Sequence, residues 1–314
     1  MDSKLKKVGL TALAGSLAAT TGYAADMSVS GSWSVSYDTN DTSTVTGNPL
    51  TLNDSITFSG SGETDQGWTI GMSYELDYGG VLDDLKATLD MGDGGKLTFG
   101  ESAGGSGLRA VKNIIPAADT AVYSMSATAT AWGIPGGISQ TGYIGYDLSV
   151  GDMALSFDTS KGTGGSDRSA SVKYTGIDGL TVVAGTGEVD TAAASDGGKD
   201  HTTYGIKYVM GSITLGVQQG EVDDKSSSNS DEESTHAGIS FAVNDDMSIS
   251  YGQLKTEFGA STKTEDETVS GMGVSYTSGS MTVKAYAGKT ENDNGSTATT
   301  ADVEEKGITV SFSF

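Results

Sequence analysis

The sequence predicts an all-β fold in which sixteen antiparallel strands close into a transmembrane β-barrel, with a long third loop folded inward. Three observations support this prediction. Apolar and polar side chains alternate in short segments along almost the whole chain after residue 25, no later run approaches 18 apolar residues, and the connections are short and long in turn. Such alternation is typical of two-sided strands. Without an apolar helix, only a closed barrel can satisfy its backbone in lipid.

Residues 1–25 have the features of a secretory signal peptide. Three lysines precede an apolar run that ends at Ala19, and small residues follow it. This order predicts export, with cleavage after Ala24 or Ala25. An uncleaved membrane anchor is the alternative, but the run is short for a bilayer core of about 30 Å. The mature chain, residues 26–314, shows no linker and is predicted to form a single barrel domain.

The mature chain is strongly acidic. Removing residues 1–25 takes away three of the 18 basic and one of the 41 acidic side chains, which leaves a formal charge of −25. This charge disfavours nucleic acid as a partner, because a phosphate backbone would be repelled. The chain also has no cysteine, which excludes a disulfide framework and thiolate chemistry.

The first predicted strand shows the alternation most clearly. Met27, Trp33 and Tyr37 belong to its apolar face. Serine occupies every second position from Ser28 to Ser36 on the other face. The same period of two predicts sixteen strands. Their apolar faces span residues 27–37, 52–58, 68–78, 85–91, 97–99, 144–150, 153–157, 170–174, 180–184, 204–208, 213–217, 237–243, 247–251, 272–276, 281–287 and 308–314.

Two kinds of connection take turns along the chain. The tight ones are residues 151–152, 177–179, 211–212, 244–246 and 278–280. The longer, acidic ones are residues 38–50, 190–200, 221–233, 259–265 and 290–302. Short turns on one rim and long loops on the other are typical of an outer-membrane barrel, whereas a propeller or a sandwich gives no reason for this regularity.

The longest segment without a strand pattern is the long loop, residues 102–140. It contains two of the three prolines and one of the two arginines, Arg109. Loops of this length inside a β fold are usually functional. We therefore expect the long loop to fold into the mouth of the barrel and narrow it, the alternative being a lid that folds outward.

The first part of the long loop has an apolar pattern of its own. Leu108, Val111 and Ile115 fall at helical spacing, opposite Arg109 and Lys112. This spacing predicts a short helix that lays its apolar side on the inner wall.

Strand parity assigns a set of charged side chains to the lumen. They lie opposite the apolar faces, and a lysine on the lipid side near the midplane would cost about 2–4 kcal/mol. These residues are Glu75, Asp77, Lys86, Asp90, Lys96, Asp147, Lys173, Lys207 and Lys284. We expect Glu101, Arg109, Lys112 and Asp119 of the long loop to reach the aqueous gap. Opposed charges there would set a transverse field that screens solutes. The predicted constriction consists of Glu101, Arg109, Lys112, Asp119, Glu75, Asp77, Lys86 and Lys96.

The chain resembles the general bacterial porins of the alphaproteobacterial type. The resemblance rests on the signal peptide, the Ser/Gly-rich strand near Met27, the Gly-Lys-Leu-Thr-Phe-Gly-Glu run of residues 95–101 and the terminal strand that ends at Phe314. It extends over essentially the whole mature chain. It implies an outer-membrane homotrimer, surrounded by lipid, that conducts ions and small hydrophilic solutes. It also implies that the barrel assembly machinery recognises Phe314.

One departure from that family bears on selectivity. Porins of this type often place an arginine cluster on the wall opposite the loop, whereas this chain has only Arg109 and Arg168. We therefore expect an acid-dominated pore that prefers cations. A substrate-specific channel, or a structural or adhesive surface barrel that works through its acidic loops, are the alternatives.

The sequence offers little for catalysis, and no enzymatic activity is predicted. His201 and His236 are the only histidines, and both are expected to be solvated residues of the rim. No serine or carboxylate is placed to complete a catalytic triad with either of them. No cofactor is expected, although acidic clusters such as Asp231, Glu232 and Glu233 could bind a structural calcium ion. A solvated acidic rim is the alternative reading of these clusters.

Overall fold

A computed structural model describes residues 26–40, 49–101, 105–120, 142–162, 165–190, 198–225, 231–260, 262–298 and 301–314. The predicted signal peptide lies outside these residues, so its cleavage stays a prediction. In the described part of the chain, no helix has the length and apolar character needed to cross a membrane.

The sixteen predicted strands are confirmed, and they form one closed antiparallel barrel in which each strand pairs with its neighbours in sequence. The strands are β1 Asp26–Asn40, β2 Leu50–Glu63, β3 Thr69–Asp77, β4 Val81–Asp90, β5 Lys96–Gly100, β6 Tyr143–Val150, β7 Met153–Gly162, β8 Gly165–Ile177, β9 Leu180–Val189, β10 Lys199–Met210, β11 Ile213–Asp224, β12 Glu232–Ala242, β13 Met247–Phe258, β14 Glu267–Ser278, β15 Met281–Glu291 and β16 Val303–Ser313. The long loop connects β5 to β6, as expected.

The outer surface of the barrel is the predicted apolar face. Large apolar side chains such as Met27, Ile70, Ile206 and Met272 are about half exposed, as lipid-facing residues should be when no lipid is present. Their neighbours in sequence are mostly serine, threonine and glycine, which face the opposite way. We call this second surface the inward face. The alternation therefore separates lipid from lumen along every strand.

The rim that carries the longer loops is not uniformly high. Residues 78–80 alone connect β3 to β4, and only two residues separate β7 from β8. Gly79 and Gly80 have φ angles of 82° and 76°, a left-handed conformation that favours glycine and permits the tight turn. The alternation of short and long connections therefore fails at these two places.

The barrel closes where the last residue meets the first strand. Gly31 donates its N–H to the carbonyl of Phe314 at 3.0 Å, and Phe314 donates to the carbonyl of Gly31 at 2.9 Å. Next to them, the rings of Trp33 and Phe312 stack with centroids 4.8 Å apart. A Cβ at Gly31 would lie 2.7 Å from the ring of Phe314 and 2.8 Å from the carbonyl oxygen of Ser55. The glycine thus makes room for the terminal ring.

Replacing Gly31 with valine is expected to destabilise the barrel by about 1–3 kcal/mol, because the new side chain overlaps both the ring and a backbone oxygen. Thermal unfolding of the refolded barrel, followed by heat-dependent gel mobility, measures this. Gly62→Val is the matched control, since it lies in β2 and no atom stands within 4 Å of its added Cβ. Equal loss of stability in the two variants would contradict the proposed fit.

Candidate functional site

The described part of the long loop, residues 105–120, lies against the inward face of the wall. It begins with a 3₁₀ helix, Gly107–Val111, that contacts β6, β7, β8 and β9. The N–H groups of Gly107 and Leu108 donate to serine hydroxyls at 2.7 Å. The wall groups that hold this end of the loop are Asp147, Ser156, Ser169 and Ser171. Short hydroxyl side chains of the wall therefore take the place of a paired strand for the loop backbone.

Gln218 of β11 fixes the middle of the segment. Its Nε2 donates to the carbonyl of Val111 at 3.0 Å and to the hydroxyl of Thr203 at 3.1 Å. Its Oε1 accepts the N–H of Ile114 at 2.9 Å. Gln218 is fully buried, so these bonds are shielded from water. One side-chain amide thus holds a carbonyl and an amide of the loop at the same time.

The far end of the segment reaches the other side of the barrel. Ala118 donates its N–H to the hydroxyl of Ser250 on β13 at 2.8 Å, and Asp119 lies beside Gly273 on β14. The segment therefore runs from β6 to β14 along the inward face.

Glycines in mid-strand make room for the loop. A Cβ on any of these wall glycines would come within 3.0 Å of an atom of the loop. They are Gly145, Gly185, Gly205, Gly216 and Gly273, on β6, β9, β10, β11 and β14. We call these five residues the glycine track. A glycine inside a strand is a signal of close backbone approach, so inward-facing glycines were the sequence feature that could have located this contact.

The apolar residues of the segment pack on the wall as their spacing predicts. Leu108, Val111 and Ile115 are buried, and the first two form a small apolar cluster with Val183 of β9. The helix is a short 3₁₀ turn that ends at Val111, and Ile115 lies beyond it.

The polar side of the segment carries two cations. Burial lowers the pKa of Arg109, and the nearby carboxylate of Asp158 opposes that shift. Burial lowers the pKa of Lys112 as well, and the positive charge of Arg109 adds to the effect. The Lys112 side chain is exposed, whereas Arg109 is half-buried. The segment thus exposes the positive charge of Lys112, whereas that of Arg109 lies near Asp158 of β7.

The other two predicted loop residues differ in exposure. Glu101 is exposed where the long loop begins, whereas only 6% of Asp119 is exposed. Asp119 was expected to reach the aqueous gap, and the structure instead buries it against β14.

The four wall residues of the predicted constriction lie on β3, β4 and β5; they are Glu75, Asp77, Lys86 and Lys96. Carboxylate oxygens of Glu75, Asp77 and Asp83 lie within 4.8 Å of one another. Lys86 forms an ion pair with Asp84 at 2.9 Å. Lys96 on β5 lies opposite acidic residues of β4 and β6 in the strand register. In the closed strand order β3 is eight positions from β11, so this acidic group lies on the half of the barrel that faces the middle of the loop.

The acidic residues suggested for calcium have separate partners. Asp231 accepts the N–H of Asp224 at 2.9 Å, and Glu232 forms an ion pair with Lys263 at 3.4 Å. Glu233 accepts a hydrogen bond from a glutamine of β11. Within the described ranges, only Glu75, Asp77 and Asp83 bring three carboxylates together. Calcium binding at Asp231 to Glu233 stays a prediction.

The prediction that His201 and His236 are solvated was wrong. Both are fully buried, at inward-facing positions of β10 and β12. Residues 200 and 202, on either side of His201, face outward in the same alternation as Tyr204. The sequence placed both histidines near the rim, but the direction of the side chain depends on strand parity.

Comparison with known proteins identifies the architecture. The family model described as Gram-negative porin matches residues 9–310. A porin refined at 1.8 Å resolution superposes with a TM-score of 0.66 at 15% identity, covering 92% of this chain and 100% of that chain. OmpT, an outer membrane protein of Vibrio cholerae, gives 0.67 at 13% identity, with 94% and 99% covered. A triple mutant of the Rhodopseudomonas blastica porin gives 0.62 at 12%, with 92% and 100% covered. No curated protein matches the sequence.

Proposed function

This chain belongs to the Gram-negative porin family, and from that premise we propose that it forms a water-filled channel for passive diffusion of ions and small hydrophilic solutes across the outer membrane. The course of the long loop supports the proposal best. Residues 105–120 follow the inward face from β6 to β14, where they occupy part of the cross-section. A sixteen-stranded barrel is wide enough to leave an aqueous channel. The loop sets its narrowest point in this proposal.

The proposed constriction has its positive charge on the loop. Arg109 belongs to the 3₁₀ helix that contacts β6 to β9, and Lys112 follows Val111, which is held by Gln218 of β11. Glu75, Asp77 and Asp84 lie on β3 and β4, and β3 is eight strands from β11. Charges of opposite sign on the two sides of a narrow gap produce a transverse field that orders water and discriminates among solutes.

The proposed channel prefers cations. The acidic outer rim raises the local concentration of cations at the mouth, and the mature chain carries a large excess of acidic side chains. The two loop cations reduce this preference at the constriction.

Lys112→Glu is expected to increase cation preference several-fold, because replacing one unit charge by its opposite changes the local energy of a passing ion by about 1–2 kcal/mol in water. Reversal potentials of the pure protein in planar bilayers under a salt gradient measure this. Lys289→Glu is the control, because Lys289 lies on the outward face of β15. Anion preference of the unmodified protein would refute the selectivity, and absence of conductance would refute the channel. Liposomes that do not swell in small sugars would instead favour a structural or adhesive barrel.

The proposed assembly is a homotrimer that meets through strands near the chain ends. An apolar hollow of about 480 Å³ opens on the outward face of β2 and β3, lined in part by Met27, Phe58 and Met72. The wall is also low here, because β2 pairs with β3 only from Ser55 onward. A neighbouring copy could cover both features. In the same proposal, the exposed ring of Phe314 is the group that the barrel assembly machinery recognises.

A further inference from the structure

The pairing of β1 with β16, which we call the seam, differs from every other strand pairing in the barrel. All other neighbouring strands are consecutive in sequence, so a turn or a loop joins them and helps to fix their register. β1 and β16 are the first and the last strand, and no such connection limits how far one can slide along the other. The register of the seam must therefore come from its side chains.

Most inward side chains of the seam repeat and carry little information about register. Serine occupies every second position of β1 from Ser28 to Ser36. The last three of these serines lie opposite Ser313, Ser311 and Thr309 of β16. If β1 slid by two residues, the same side chains would stay inward and hydroxyls would again lie opposite hydroxyls. These positions therefore do not select one register.

One row of residues across the seam, at the end toward the longer loops, is different. Tyr286 of β15, Gly307 of β16 and Asp38 of β1 are direct cross-strand partners. The phenol of Tyr286 donates to the carboxylate of Asp38 at 3.2 Å, so this side chain crosses β16 and reaches β1. A Cβ at Gly307 would overlap both the Tyr286 ring and the Asp38 carboxylate. Gly307 thus provides the space in which the two side chains meet.

A slip of the seam by two residues would break this contact in either direction. In one direction Ser36 would lie opposite Gly307, and its side chain is too short to meet the phenol. The same slip would place Asp38 directly opposite Glu305, and like charges in that position destabilise a sheet. In the other direction Asp38 would move opposite Thr309, away from the phenol. The phenol would keep only its second hydrogen bond, with Glu305 of β16 itself.

We propose that Tyr286 sets the register in which the barrel closes, by holding Asp38 across Gly307. Gly31 and Phe314 mark the same register at the other end of the seam. Register, strand tilt and barrel size are linked, so a slip by two residues would change the width of the lumen. One phenol therefore helps to fix the diameter of the pore. The inference concerns barrel closure and does not depend on conductance.

Disulfide trapping in the mature chain, which has no natural cysteine, tests the proposal. Ser34→Cys/Ser311→Cys reports the native register, because these two residues are direct partners. Ser32→Cys/Ser311→Cys and Ser36→Cys/Ser311→Cys report slips in the two directions. In the native register these pairs are diagonal neighbours about 7–8 Å apart, too far for a disulfide. A disulfide between β1 and β16 closes the chain into a ring, which changes its mobility on a denaturing, non-reducing gel.

We expect the native pair to form its disulfide readily and the slipped pairs to form almost none. Tyr286→Phe, which keeps the ring, should raise the slipped disulfides roughly two- to tenfold, the effect of losing one net hydrogen bond. Asp38→Ser should do the same, because it extends the serine repeat of β1 by one position. Only the folded fraction, identified by heat-dependent gel mobility, is scored.

Tyr143→Phe is the matched control. Tyr143 of β6 is buried, and a Cβ at its direct partner Gly100 of β5 would overlap its ring. β5 and β6 are consecutive strands, so the phenol of Tyr143 is not needed for the register of the seam. Slipped disulfides that stay as scarce in Tyr286→Phe and Asp38→Ser as in the parent would overturn the proposal. An equal increase in Tyr143→Phe would overturn it as well.

Discussion

Replacing Gln218 with leucine is expected to detach the middle of the long loop and raise the single-channel conductance, with added current noise. Leucine is similar in size, so β11 should keep its place in the barrel. The carbonyl of Val111 and the N–H of Ile114 would lose the amide that holds them. A buried backbone group without a partner costs about 1–3 kcal/mol, so the detached state should become at least about tenfold more populated. Single-channel recording in symmetrical salt measures the effect.

A chemical readout accompanies the recording. The natural chain has no cysteine, so Ala118→Cys provides a unique thiol at a buried position of the loop. A membrane-impermeant reagent should label it slowly in the parent and faster when Gln218→Leu is added. Gln253→Leu is the matched control, because Gln253 lies on the outward face of β13 together with Tyr251. Unchanged conductance and labelling in the Gln218 variant would contradict the proposal that Gln218 holds the middle of the long loop.

Gly107→Val is expected to prevent the start of the loop from seating on the wall. Gly107 has a φ angle of 62°, and a left-handed conformation costs other residues about 1–2 kcal/mol. Its Cβ would also come within 3.0 Å of side-chain oxygens of Asp158 and Ser169. Conductance should rise and the Ala118→Cys thiol should react faster, while thermal stability stays near that of the parent because no strand pairing is lost.

Gly105→Val is the control for this substitution. Gly105 precedes Gly107 by two residues, and no atom stands within 4 Å of its added Cβ. It lacks a positive φ angle, so valine meets neither penalty there. Equal conductance and equal labelling rates in the two valine variants would mean that the position of the loop against the wall does not depend on Gly107.

The barrel could be predicted from the sequence because its determinants are local. A period of two identifies each strand and assigns its side chains to lipid or lumen, as in Met27 to Tyr37. The burial of Leu108, Val111 and Ile115 could also be predicted, because their spacing is a local feature of the sequence.

The attachment of the loop could not be predicted in the same way. Gln218 is separated from Val111 and Ile114 by roughly a hundred residues, and no local pattern distinguishes it from Gln253, which faces lipid. The burial of Asp119 likewise depends on β14, which is remote in sequence. Periodicity assigns a residue to a face, whereas these contacts depend on which strands the loop crosses.

The pairing of Gly31 with Phe314 has a consequence for folding. These two residues are separated by almost the whole barrel sequence, so their contact is among the most non-local in the described part of the molecule and forms only after a large entropic cost of loop closure. A chain that lacks only its last residue loses the two hydrogen bonds between Gly31 and Phe314, but the pairs from Ser32–Ser313 to Asn40–Glu305 still join β1 to β16. A chain that lacks the whole of β16 leaves β1 and β15 with open, unpaired edges, which are templates for pairing with another chain.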